Sequence, residues 1–148
     1  MNSLDGLLQQ TLRIARASRD FFVFAEPAMK DSEVRMAFEY IGQVKGKLAS
    51  DLEPYVAAND GQAVGATLSP ASSVEKIYQD LRTSVRSSGV SAAAARTLAA
   101  GEEQLVRLVE RAFEQATNAT LKDMLKAYYP QLVICREAMA RLRARQAA

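Results

Sequence analysis

The chain has 148 residues, of which 49% are apolar and 24% charged, and its formal net charge is +2. These values are typical of a globular protein, and the length predicts one domain over residues 1–148 with a buried core. A net charge this small gives no argument for nucleic-acid binding. The longest apolar runs are far shorter than the ~20 residues that a bilayer-spanning helix needs, so we expect no membrane association.

The sequence contains no histidine and one cysteine, Cys135. The chain therefore lacks the commonest general base near neutral pH and the commonest transition-metal ligand. It also lacks the base of Ser-His and Cys-His nucleophile pairs, so we expect no enzyme activity and no cofactor. A single cysteine excludes an internal disulfide, which fits a reducing compartment. Because no basic start followed by an apolar run is visible, we expect a cytoplasmic protein.

Apolar residues at helical spacing predict two long helices in the first part of the chain. The first covers about residues 3–29, and because Pro27 lies near its end we expect it either to stop at Ala25 or to bend. The second covers about residues 32–57. In the second helix the core positions recur every seven residues, at Val34, Ile41, Leu48 and Tyr55. Pro54 is expected to kink or end it. The short turn between the two helices predicts an antiparallel hairpin.

A second pair of long helices is predicted after a long connection. Residues 59–70 combine glycine, proline and polar residues, which predicts a loop, and a short helix follows at about 70–86. Longer apolar patterns then predict helices at about 92–116 and 119–146. A connection of this length is long enough to cross a bundle. We therefore predict a ferritin-like up-down four-helix bundle: two long-helix hairpins joined by a crossover with a short fifth helix.

Four short motifs follow one another in a characteristic order: residues 31–40 (DSEVRMAFEY), 49–53 (ASDLE), 78–81 (YQDL) and 100–103 (AGEE). With them the chain resembles bacterial ferritin-like four-helix-bundle proteins assigned to a domain of unknown function. The resemblance implies a ferritin-class bundle and no particular activity. The chain departs from the family in the first helix, where residues 17–21 (ASRDF) replace an acidic motif, and at Arg136, where relatives often have a histidine.

A dinuclear iron or manganese site in such a bundle needs inward carboxylates on the long helices, with Glu-x-x-His motifs on two of them. The helical pattern places Glu39, Glu103 and Glu137 on outward faces. Only Glu102 borders the apolar seam, so it is the single, weak candidate for a metal ligand. We expect no bound metal.

Two further residues have a predicted place. Cys135 falls on the core line of the last helix, so we expect a buried, unreactive thiol. Phe21, Phe22 and Phe24 cannot all face one core, and we expect Phe24 to be exposed at a contact surface.

Three functions remain open from the sequence. The first is a non-enzymatic bundle that self-associates, as a homodimer, or binds a protein partner. The second is a ferritin-like metal or redox protein with a degenerate carboxylate site. The third is a weak binder of nucleic acid or another anionic polymer through the arginine-rich end, residues 141–145. For those arginines the simpler interpretation is favourable charge at a helix C-terminus.

Overall fold

A computed structural model describes residues 3–57, 74–86 and 89–147, and the regular structure in these ranges consists of helices without a β-strand. Residues 74–81 form a short helix, α3. The four long helices are α1 (Leu4–Ala25), α2 (Ser32–Ala57), α4 (Ala92–Gln115) and α5 (Ala119–Ala147). Over these residues the prediction of an all-α fold with five helices is confirmed.

Each long helix begins at a polar side chain that accepts hydrogen bonds from the first turn. The Ser3 Oγ accepts from the Gly6 amide, and the Ser91 Oγ accepts in the same way at α4. Asp31 accepts from two amides at the start of α2, and Asn118 accepts from one at the start of α5. These bonds satisfy backbone donors that have no partner within the helix.

Some predicted helix boundaries were wrong. The first helix does not reach residue 29; it stops at Ala25, one of the two outcomes expected near Pro27, and a 3-10 turn over Glu26–Ala28 follows. The short helix changes to a 3-10 turn at Arg82–Ser84 and does not reach residue 86. Pro54 does not end α2, since it lies in the last turn of a helix that continues to Ala57. The predicted loop at 59–70 and the predicted start of α3 at residue 70 lie outside the described residues.

The long helices form two antiparallel hairpins. In the first, α1 packs on α2, and Arg16 bonds Glu53 at 2.6 Å on one edge. In the second, α4 packs on α5, and the Tyr129 hydroxyl donates to Glu110 at 2.7 Å. Val23 lies near Gly42, whereas the earlier residue Arg19 lies near the later Gly46, so α1 and α2 are antiparallel. Glu110 near the end of α4 meets Tyr129 in the first half of α5, as an antiparallel pair requires.

The two hairpins pack through α1 on α4 and through α2 on α5. The Tyr128 hydroxyl donates to Asp51 at 2.6 Å, and Arg145 bonds Asp31 at 2.9 Å, so α5 also runs antiparallel to α2. The apolar core lies between the four helices, and Tyr78 of α3 joins its edge, near Phe21. None of the helices in the described ranges has the length and apolar character needed to cross a membrane.

Candidate functional site

A buried ion pair lies in the centre of the bundle, between Lys45 of α2 and Glu102 of α4. The two side chains are 0% and 1% exposed. The Lys45 Nζ donates to both carboxylate oxygens of Glu102, at 2.6 and 2.7 Å, and to the Ser18 Oγ of α1 at 3.2 Å. The ammonium group has three donors, and all three therefore have an acceptor.

Lys45 reaches this position because it occupies a core position of α2. Its neighbours one helical turn away, Ile41 and Leu48, are also fully buried. The ammonium lies 5.8 Å from the centroid of the Phe22 ring, within the range of a cation–π contact. Lys45 was not among the residues predicted from the sequence, although its signal was visible: a lysine at the spacing of an apolar stripe.

Tyr78 brings a phenol group from α3 to the same region. Burial raises the pKa of its hydroxyl far above the usual value, and the negative charge of Glu102 adds to the rise. The nearby Ser18 side chain acts in the opposite direction and lowers this pKa. In the described part of the chain, however, no group lies in a position to form a well-aligned hydrogen bond with the Tyr78 hydroxyl. The hydroxyl oxygen abuts Gly101, where an added Cβ would overlap it. The packing of α3 on α4 therefore depends on this glycine.

Cys135 of α5 completes the cluster, which we call the central polar cluster: Ser18, Lys45, Tyr78, Glu102 and Cys135. The thiol is fully buried, and burial raises its pKa to about 12, although the nearby Lys45 charge acts in the opposite direction. The group is therefore a protonated, weakly nucleophilic thiol at neutral pH.

We expect Cys135 to react with a disulfide reagent at least about a hundredfold more slowly in the native protein than in urea, because reaction requires a rare opening. Stopped-flow absorbance of the released thiolate measures both rates. Equal rates in both conditions would show that α5 is rotated relative to this packing.

The cluster does not suit a carboxylate metal site. Among the described residues no three His, Cys, Asp or Glu side chains come close enough together to hold a metal ion. Glu102, expected at the border of the apolar seam, is fully buried, and the ammonium of Lys45 contacts both of its oxygens. A dinuclear site of the ferritin class therefore does not fit the side chains in the described ranges.

The other acidic candidates lie away from the centre. Glu103 lies on the surface between Arg107, at 3.7 Å, and Arg136, at 3.6 Å. Glu39 and Glu137 lie outside the buried core. Arg136 thus takes part in a surface ion pair.

Phe24 is 48% exposed, whereas Phe21 and Phe22 are fully buried. The Arg82 guanidinium lies over the Phe24 ring, 4.9 Å from its centroid, and covers part of it. No pattern in the sequence indicated this contact, because the two residues are far apart in the chain.

Comparison with known proteins yields no matching family model, no matching curated protein and no matching solved structure.

Proposed function

We propose that the protein is a non-enzymatic, ferritin-like up-down helical bundle that acts by binding, either to a second copy of itself or to a protein partner. The observation that supports this proposal most directly is the exposure of large apolar side chains on the first hairpin. They are Val23, Phe24 and Met36. Large apolar groups left in water are typical of contact surfaces when they lie close together.

The chemistry of the interior favours binding over catalysis. Lys45 and Glu102 neutralise each other in the core, and Cys135 is held as a thiol. A catalytic acid, base or nucleophile must reach its substrate, and these groups have no solvent access. The antiparallel packing of α1, α2, α4 and α5, with a long connection between the hairpins, supports the ferritin-like part of the proposal. We place the protein in a reducing compartment such as the cytoplasm, where a lone cysteine is usual.

The proposed contact surface lies on α1, at Phe24. Burying an exposed phenylalanine contributes roughly 1.5–3 kcal/mol. The stacked Arg82 fixes the ring and adds a cation beside it, so the surface combines an aromatic group with an arginine. This combination is enriched at protein–protein interfaces. A two-fold dimer is the simplest assembly, since closed two-fold dimers are the commonest homo-oligomers.

We expect the wild type to sediment as a dimer at micromolar concentration and the Phe24→Asp variant to shift toward monomer by at least about tenfold in Kd. Ile134→Asp is the matched control, because Ile134 is 49% exposed and belongs to α5 of the second hairpin. It should leave the dimer unchanged. Sedimentation equilibrium measures all three proteins.

A monomeric wild type over the whole concentration range would contradict self-association. A dimer that only Ile134→Asp weakens would move the contact surface to the second hairpin. Circular dichroism of each variant verifies that the helices are intact before the comparison is made.

A further inference from the structure

We propose that the Lys45 ammonium takes the place of a bound cation, so that the central polar cluster is a cation site filled by the chain itself. The site would otherwise accept a small alkylammonium ion. This inference goes beyond the proposed binding function and does not depend on it.

The geometry around Lys45 Nζ is that of a cation held by oxygen atoms. Both Glu102 oxygens lie at 2.6–2.7 Å, and the Ser18 oxygen lies at 3.2 Å on a different helix. The Tyr78 hydroxyl is buried beside them, and it has no completed hydrogen bond within the described ranges. The polar groups of three long helices and α3 thus converge in an otherwise apolar core.

The need for a cation follows from Glu102. A carboxylate that is 1% exposed is strongly destabilised unless a positive charge compensates it. In bundles of this kind, inward carboxylates commonly bind metal ions. Here the positive charge is part of the chain, so its effective concentration at the carboxylate exceeds that of any ion in solution. An external cation therefore has no access while Lys45 is present.

Removal of the lysine side chain beyond Cβ should expose the site. The Lys45→Ala variant lacks three methylene groups and the ammonium, and the n-propylammonium ion supplies the same atoms. We expect this ion to raise the melting temperature of Lys45→Ala by about 2–4 °C more than sodium does at equal ionic strength, when its concentration is about five times its Kd. The wild type should show no such difference.

Two controls separate charge from shape. Propan-1-ol has nearly the same size as propylammonium but no charge, and it should give no recovery. In Lys45→Ala/Glu102→Gln the carboxylate is absent, so the ammonium ion should lose its advantage over the alcohol. If Lys45→Ala is unfolded in sodium chloride, the same comparison uses the helical circular dichroism signal, which propylammonium should restore.

Equal recovery by the alcohol and the ammonium ion would overturn the proposal, because it would show only the filling of a cavity. Absence of recovery in both melting temperature and helical signal would also overturn it. So would iron, manganese or zinc bound stoichiometrically in wild-type protein purified without chelator, as measured by elemental analysis.

Discussion

Replacement of Lys45 alone by methionine is expected to lower the free energy of unfolding by about 3–5 kcal/mol, because it leaves the buried Glu102 charge without a partner. The double variant Lys45→Met/Glu102→Leu should regain this loss. Its free energy of unfolding should equal that of the wild type or be about 1–4 kcal/mol higher. Both new side chains are apolar and similar in volume to the originals. Urea denaturation monitored by circular dichroism measures each variant.

The surface pair formed by Glu103 and Arg107 provides the control for this cycle. Its side chains are 42% and 65% exposed and 3.7 Å apart, so Arg107→Met should cost less than about 1 kcal/mol. The two charges would not be coupled in the folded protein if the double variant lost as much free energy of unfolding as Lys45→Met and Glu102→Leu lose separately, added together. The proposed cation site would then lose its basis as well.

The second large effect is expected at Gly101. Alanine normally stabilises a helix relative to glycine by about 0.5–1 kcal/mol. At Gly101 it should instead destabilise the protein by about 1–3 kcal/mol, because the added Cβ overlaps the Tyr78 hydroxyl and the side chain must shift. Thermal and urea denaturation should both show the loss.

Tyr78→Phe is the matched partner substitution, because it removes only the oxygen that the new methyl group meets. The remaining ring carbon at that end, Cζ, lies 3.5 Å from where the added Cβ would sit, which is an ordinary contact. Gly101→Ala should therefore be tolerated in the Tyr78→Phe background. Gly46→Ala serves as control, since its nearest neighbour is the flexible Arg19 side chain at 3.4 Å, and it should stabilise the protein. A loss at Gly101 that persists without the hydroxyl would show that α3 does not pack as described.

The number and type of helices could be predicted from the sequence because apolar spacing identifies the helices, and turn and capping residues separate them. The core line through Cys135 followed from the same period, which also placed Glu102 at the border of the apolar seam but did not show that its carboxylate is buried. The end of α1 at Ala25 could not be fixed, because Pro27 allows either a bend or a stop, and a 3-10 turn is decided by local packing.

The central polar cluster could not be assembled from the sequence. The helical period places Lys45 and Glu102 at or beside the apolar stripes of their own helices. It contains no information on which residues of different helices lie at the same level along the bundle axis. The contact of Tyr78 with Gly101 depends on where α3 rests on α4. The stacking of Arg82 on Phe24 likewise depends on how segments that are distant in the chain are placed against each other. Such contacts depend on the relative placement of helices, which a single sequence does not encode as a pattern.

The two buried charges are divided between the two hairpins, and this division affects which hairpin packs against which during folding. The first hairpin carries the buried lysine and the second carries the buried glutamate. Two copies of the first hairpin pressed together would enclose two ammonium groups, and two copies of the second would enclose two carboxylates. Either mispaired product would keep like charges away from water without compensation, at a cost of several kcal/mol. Unlike hairpins are therefore favoured over like ones during folding, even though all four long helices offer apolar stripes of the same kind.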